Sequence, residues 1–186
     1  QGAIERRQGV GTFVTRQTSR GLRGGLESLQ SIQSLAQKAG LNTETSEREV
    51  SLVPAAPGWA EVLGVEEGAP LHRVRFTISV DNLPIAYLNS LIPATYASAA
   101  ELASAPGSLL DFLISRGGPG PSYTHSQVYA IDAEQEVAER LRVPQGKAVL
   151  HLVETYYAPG DEPVALSFNY FVSDRYSFFI SRQIAP

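Results

Sequence analysis

The sequence has no cysteine, no methionine and no excess of basic residues. The first and last of these absences each exclude a class of protein. Without cysteine, the chain can form no disulfide, thiol nucleophile or thiolate metal site. The 15 Lys and Arg residues are outnumbered by 19 Asp and Glu, which leaves no basic footprint for nucleic acid. No apolar run approaches the roughly 20 residues of a membrane span, and no secretory signal pattern is present. We therefore expect a cytoplasmic protein without a membrane segment, and the missing methionine suggests a fragment of a longer chain.

What the sequence does contain is an internal repeat. The segment 59–71 is echoed 78 residues later by 137–149, so that Leu63 matches Leu141 and Gly68 matches Gly146. Each copy is followed by a strand-like run, a polar turn, a proline and a second strand-like run. A solenoid needs three or more copies. Two copies predict a domain with an internal pseudo-twofold repeat, in which the strand pairs face a shared cavity.

The pattern of apolar residues predicts more strands than helices, and most neighbouring strands are joined by hairpin-length turns. The predicted strands are 47–53, 71–80, 85–92, 123–131, 149–157 and 164–172. The predicted helices are 28–40, 59–63, 95–104, 108–116 and one that a capping box of Asp132 and Gln135 opens. This order favours an α+β fold, an antiparallel sheet with surrounding helices. Residues 1–25 are rich in glycine and arginine and are predicted to be a loop-like linker, with one domain over 26–186.

Several short motifs occur in an order typical of a known family. They are Leu63-x-Val-x-x-Gly-x-Pro-Leu, Asp81-x-x-Pro-Ile-Ala, Ile92-Pro, Asp161-Glu-Pro-Val and Ser173-Asp-Arg-Tyr-Ser-Phe. Together they resemble the UTRA domain, the effector-sensing domain of HutC-type GntR transcription regulators, over roughly 26–179. The resemblance implies a chorismate-lyase-like fold around a buried ligand site. It also implies a homodimer whose affinity for operator DNA changes when the effector binds.

The first residues carry a second, weaker resemblance. Residues 8–14, Gln-Gly-Val-Gly-Thr-Phe-Val, are similar to the last wing strand of the family's winged-helix DNA-binding domain. The alternative is a flexible glycine-rich lead-in. Next to a UTRA-like pattern we prefer the wing, so that a winged-helix domain missing from this chain would contact the operator.

Side chains alternate between the two faces of a strand. In the run 71–80 the even positions are mostly apolar, whereas the odd positions include Arg73 and Arg75. We therefore predict that the even face is buried and that both arginines are solvated on the other face. UTRA domains that sense sugar phosphates resemble one another in a strand Arg-x-Arg and a nearby Glu. Counted from Gly68 without a gap, those positions fall here on Phe76, Ile78 and Leu88. A desolvated phosphate without arginine is strongly disfavoured, so we predict that the effector is not a sugar phosphate.

The repeat then identifies the facing half of the cavity. The 78-residue offset matches Phe76 with Glu154 and Ile78 with Tyr156, and one extra residue in the second turn matches Leu88 with Ser167. Ser31 is added because free N–H groups at a helix start bind anions, although it is also an ordinary N-cap residue. The polar members have a plainer alternative as routine strand residues. The predicted effector-binding residues are Ser31, Phe76, Ile78, Leu88, Glu154, Tyr156 and Ser167. They favour an apolar or aromatic ligand with one polar end, and an acid is one such ligand.

Nothing in the sequence predicts catalysis, a metal or a cofactor. The three histidines share no metal-ligand spacing; His72 is expected in the core, and His125 and His151 at the surface. The alternative function is a chorismate-lyase-like enzyme acting on a small aromatic or carboxylic acid, but a dianionic substrate would need cationic groups that the inferred walls lack. A stand-alone ligand carrier is a third possibility. We predict a non-enzymatic effector-binding and dimerisation domain of a bacterial transcription regulator.

Overall fold

The computed structural model describes residues 3–7, 11–15, 22–46, 48–105 and 108–182. Five helices lie within these ranges: α1 (Ile32–Lys38), α2 (Pro57–Leu63), α3 (Ala99–Ser104), α4 (Leu109–Ser115) and α5 (Gln135–Leu141). The first strands are β1 (Ala3–Arg7), β2 (Gly11–Thr15), β3 (Leu22–Gly25), β4 (Thr43–Thr45) and β5 (Glu49–Pro54). The others are β6 (Pro70–Val80), β7 (Leu83–Pro93), β8 (Tyr123–Asp132), β9 (Ala148–Ala158), β10 (Glu162–Phe171) and β11 (Tyr176–Phe179).

The main sheet is antiparallel and follows the repeat. Its order is β4-β6-β7-β10-β9-β8, with β5 also paired to β6. The first copy therefore supplies β5-β6-β7 and the second supplies β8-β9-β10, and the two copies meet where β7 pairs with β10. In each copy a helix follows the outer strand, α2 after β5 and α5 after β8. The predicted α+β fold with an internal pseudo-twofold repeat is confirmed.

The two halves also share a turn of unusual backbone conformation. Helices α2 and α5 both end in a left-handed residue, Gly64 with φ of 63° and Arg142 with φ of 50°. Glycine adopts this conformation freely, whereas a side chain with a Cβ is strained there. The second copy therefore carries local strain that the first copy avoids.

Replacing Arg142 with glycine should raise the free energy of unfolding by about 0.5–1 kcal/mol, because the strain at its Cβ is removed. The exposed hydrogen bond from Arg142 to the Asn82 carbonyl is long, at 3.3 Å, so its loss offsets little of the gain. Urea unfolding of the two proteins measures the difference. A destabilised Arg142→Gly variant would show that the arginine contributes more than its strained backbone costs.

Each face of the sheet is covered by its own helices. Residues directly opposite on paired strands share a face, so Phe76, Leu88 and Asn169 lie together on one side. On that side α1, α3 and α4 pack over the largest apolar cluster. On the other side, α2 and α5 cover two smaller clusters around Leu63 and Leu141.

Arg73 and Arg75 lie on the α2–α5 face, as the alternation predicts, and are partly exposed, but both have side-chain partners there. The Arg75 guanidinium lies between the carboxylates of Glu49 (3.0 Å) and Glu136 (2.9 Å), and the Arg73 Nε donates to Asn89. Glu49 also accepts from Arg140, which lowers the pKa of its carboxyl. The predicted face is right, but the ion pairs of Arg75 were not predicted, because α5 brings Glu136 over this end of the sheet.

The helix starts differ from the predicted ones. Helix α1 begins at Ile32, with Ser31 as N-cap accepting from the Ser34 N–H. The predicted capping box at Asp132 is wrong, because α5 starts at Gln135 with Glu134 as N-cap and no side-chain cap. A capping box does occur in α3, between Ser98 and Glu101.

Residues 1–25 are not simply loop-like. Strands β1 and β2 form an antiparallel hairpin, which overlaps the predicted wing segment, and residues 8–10 between them lie outside the described ranges. Strand β3 pairs in parallel with β11, and Leu22 is buried in the main apolar cluster. Part of the predicted linker therefore packs against the body of the domain.

Candidate ligand-binding site

A cavity of about 120 Å³ lies on the α1–α4 face of the sheet. This is roughly ten times the space that one water molecule needs, so a small organic molecule can enter. The apolar walls come from the sheet, from α1 and α4, and from β3 and β11. Among the apolar and aromatic residues that line it are Leu29, Ile32, Leu35, Phe76, Leu88, Leu109, Leu113, Leu152, Ala165, Phe171, Tyr176 and Phe178. The polar lining comes from β7, β8, β9 and β10 and from the starts of α1 and α4.

Six of the seven predicted site residues line this cavity. They are Ser31, Phe76, Leu88, Glu154, Tyr156 and Ser167. Five of them lie on four strands, and register places them on one face, since Phe76 is opposite Leu88 and Ser167 is opposite Glu154. The repeat and the strand alternation together therefore bring these side chains to one place. Their role as effector contacts stays a prediction.

Ile78 is the exception. It lies on the cavity face and is 1% exposed, but it is not among the lining residues. Ile78 packs instead in the main apolar cluster. Its repeat partner Tyr156 lines the cavity, although both residues have an edge-strand neighbour, Thr45 of β4 for Ile78 and Thr124 of β8 for Tyr156. The repeat therefore gives the face on which Ile78 lies but not how far the cavity extends.

Glu154 is the centre of the polar floor. Its carboxylate accepts hydrogen bonds from Ser126 (2.8 Å), Tyr156 (3.1 Å) and the Asn169 amide (2.7 Å). Burial, together with the neighbouring Glu154 charge, raises the pKa of Tyr156 well above its ordinary value and that of Tyr176 to about 12. Both phenols therefore stay protonated near neutral pH.

Two hydroxyls form a hydrogen bond where the two repeats meet. Ser90 on β7 and Ser167 on β10 are buried opposite each other, with 2.8 Å between their oxygens. Both line the cavity. This bond ties the two halves at the cavity floor, where each hydroxyl is the other's partner.

Replacing Ser167 alone with alanine should lower the free energy of unfolding by about 1–2 kcal/mol, because the Ser90 hydroxyl is left buried without its partner. The Ser90→Ala, Ser167→Ala double variant should lose no more than the single one, since no polar group is then stranded. Urea unfolding of the three variants measures the coupling. Strictly additive losses would mean that the two hydroxyls do not depend on each other.

One backbone N–H at the start of α1 is already capped by a side chain. The Ser31 oxygen caps the Ser34 N–H, and its hydroxyl donates to the Asp111 carboxylate of α4 at 2.7 Å. Ser31 therefore links α1 and α4 and also lines the cavity. Its role in binding an anion stays a prediction.

Several residues that line the cavity were not predicted from the sequence. Asn169 and Ser126 follow from the same alternation, since they lie two residues from Ser167 on β10 and opposite Glu154 on β8. Leu109 and Leu113 of α4 and Tyr176 of β11 are long-range neighbours of the sheet. No local pattern indicates which helix closes over a cavity.

His151 also departs from its predicted surface position. Its ring is half-buried and stacks on Tyr170 at 4.4 Å between centroids, and burial lowers its pKa. It lies on the α2–α5 face, away from the cavity. His72 is buried as predicted, and His125 is exposed. Within the ranges that the structure covers, no cluster of three or more His, Asp or Glu has the arrangement to hold a metal ion.

An antiparallel sheet with a largely apolar cavity and a few convergent polar groups defines a small-molecule-binding class of domain. The UTRA domain model matches residues 38–177. The chain therefore belongs to the UTRA family, and the resemblance to the UTRA domain found in the sequence is confirmed. It is an effector-binding regulatory domain and not an enzyme.

Solved structures show the same fold. PhnF from Mycobacterium smegmatis aligns with a TM-score of 0.80 at 22% identity, covering 98% of this chain and 79% of that one. The effector domain of PhnF from the same organism aligns with a TM-score of 0.77 at 20% identity, covering 87% and 99%. A GntR-family transcriptional regulator from Enterococcus faecalis V583 gives 0.63 at 19% identity, covering 76% and 100%. The sequence matches no curated protein.

Membrane insertion through a helix finds no support in the described ranges: none of their helices is long and apolar enough to span a bilayer.

Proposed function

We propose that this domain senses an apolar or aromatic small molecule, rather than a sugar phosphate, and reports it to a DNA-binding domain. The observation that carries the proposal is the cavity itself, with Phe76 and Leu88 in its wall and Arg73 and Arg75 on the opposite face. Among the described residues that line it there is no arginine or lysine. A phosphate would lose its hydration without gaining a charged partner.

In this proposal, operator DNA is contacted by a winged-helix domain that precedes residue 26, with the β1–β2 hairpin as its wing-like end. Two arrangements of a cytoplasmic dimer differ in the spacing of their DNA-binding heads. The ligand shifts the balance between them only by as much as its affinities for the two arrangements differ.

A thermal-shift series tests the ligand class. The probes are octanoic acid, cinnamic acid, hexylamine and glucose 6-phosphate, each at increasing concentration. A probe present at 100 times its Kd should stabilise the domain by about 2.7 kcal/mol, which is roughly 5–10 °C in Tm for a domain of this size. We expect at least one of octanoic acid, cinnamic acid and hexylamine to stabilise it and glucose 6-phosphate to have no effect. Stabilisation by glucose 6-phosphate alone would overturn the proposal.

We further propose that the domain forms a homodimer through β8. This strand lies at one end of the sheet order, and its Val128 and Tyr129 side chains are 48% and 45% exposed. An open strand edge with exposed apolar side chains is a ready surface for a second chain.

Replacing Val128 with lysine should therefore shift the domain from dimer towards monomer, because charged side chains on an edge strand oppose pairing. Sedimentation velocity over a micromolar concentration series measures the change. The matched control is the replacement of Val62, an exposed residue of α2 away from β8, with lysine. A Val128→Lys variant that remains dimeric would place the interface elsewhere.

A further inference from the structure

The polar floor of the cavity contains two side chains with unused hydrogen-bond accepting capacity, Glu154 and Asn169. Glu154 has two carboxylate oxygens, which together accept about four hydrogen bonds when ionised. Three donors reach it from Ser126, Tyr156 and Asn169. The carboxylate therefore keeps accepting capacity on a surface that lines the cavity.

Asn169 supplies a second acceptor. Its amide nitrogen donates to Glu154 at 2.7 Å, which fixes the orientation of the amide, because the reverse would place two oxygens together. Its Oδ1 is then buried without any hydrogen-bond partner, in a residue that is 2% exposed and lines the cavity. A buried acceptor without a donor destabilises the folded state. A donor on a bound molecule would satisfy it.

No cation of the described lining balances the Glu154 charge. The lining residues include no Arg, Lys or His. Arg48 lies 5.2 Å from the Phe76 ring centroid and donates to the Ala105 carbonyl, but it is not part of the lining. A carboxylate in a largely apolar cavity gains strongly from a cationic partner, because the interaction is weakly screened there.

Glu154 is the only charged residue of the described lining. A second carboxylate, that of Asp111 on α4, lies outside the lining and accepts from the lining residue Ser31. The Glu154 charge repels an anionic ligand and attracts a cationic one.

We propose that the polar end of the effector is a protonated amine, which donates to the Glu154 carboxylate and to Asn169 Oδ1. An ammonium group has three donors and no acceptor, which matches a floor that presents acceptors. The apolar body of the molecule packs against Phe76, Leu88 and Leu109. This inference rests on the proposed function, and it replaces the acid that the sequence suggested with a cation.

Calorimetric titration with three molecules of one body and different ends tests the inference. Hexylamine, 1-hexanol and hexanoic acid are compared at pH 7.5, where the amine is protonated and the acid is ionised. We expect hexylamine to bind at least tenfold more tightly than either of the others. Equal or tighter binding of the alcohol or the acid overturns the inference, although it leaves the cavity as a small-molecule site.

Variants then assign the preference to Glu154. Glu154→Gln removes the charge at nearly constant shape and should abolish the tenfold preference for hexylamine over 1-hexanol. Glu154→Asp keeps the carboxylate and should keep part of the preference. Glu61→Gln, on the exposed side of α2, should bind all three molecules like the unaltered domain. Circular dichroism confirms that each variant is folded, and a preference that survives in folded Glu154→Gln overturns the inference.

The two proposals fail in different ways. If hexylamine does not bind while octanoic or cinnamic acid stabilises the domain, the amine is wrong and the apolar-ligand sensor stands. If glucose 6-phosphate alone stabilises it, both are wrong.

Discussion

Replacing Ile78 with arginine should leave the domain largely unfolded. Ile78 is 1% exposed and packs in the main cluster without lining the cavity, so an arginine there has no route to water. Burying an unpaired charge costs several kcal/mol, a large part of the 5–15 kcal/mol that stabilises an average domain. Circular dichroism and urea unfolding measure the loss.

Two matched variants make that result specific. Leu52→Arg, at a position that is 64% exposed on the edge strand β5, should change the free energy of unfolding by less than about 0.5 kcal/mol. Ile78→Val should cost about 1 kcal/mol, the usual value for one buried methyl group. A folded Ile78→Arg protein with near-normal Tm would show that this side chain does reach the cavity after all.

The second large effect concerns the repeat. Leu63 and Leu141 occupy matching positions at the ends of α2 and α5. Both are buried, each in its own cluster on the α2–α5 face of the sheet. Truncation of either one to alanine should lower the free energy of unfolding by about 3 kcal/mol, from lost apolar burial and the void left behind. Urea unfolding measures both.

The exposed neighbour Val62 provides the control, since Val62→Ala should change stability by less than about 0.5 kcal/mol. Because Leu63 and Leu141 lie in separate clusters, the losses in the double variant should add within about 0.5 kcal/mol. If one leucine can be truncated without cost, the two helices do not serve equivalent roles in the two halves.

The repeat and the strand alternation predicted most of the sheet because both depend on local sequence. Alternation placed Phe76 on the cavity side and Arg75 on the other, and the offset located Glu154 and Tyr156. Asn169 was not predicted, although it lies two residues from Ser167 on the same face of β10. Strand alternation would have been sufficient to identify it.

Other features depend on contacts between distant segments. Arg75 was predicted to be solvated because the sequence gives no sign that Glu136 lies above it. Ile78 was placed in the cavity because the repeat predicts its face of the sheet but not how far the cavity extends along that face. The role of Asp111 beside Ser31 likewise arises from the packing of α4 against α1. Each of these errors concerns what covers the sheet, which tertiary packing determines.

Leucine methyl NMR is the most direct test of the claim that the ligand binds in this cavity. The probe is whichever member of the thermal-shift series raises Tm most, titrated into the isolated domain. We expect shifts at the methyl groups of Leu88, Leu109, Leu113 and Leu152, which line the cavity, and little change at Leu63, Leu91 and Leu166 on the opposite face. Shifts confined to that opposite face, where Arg73 and Arg75 lie, would contradict the assignment.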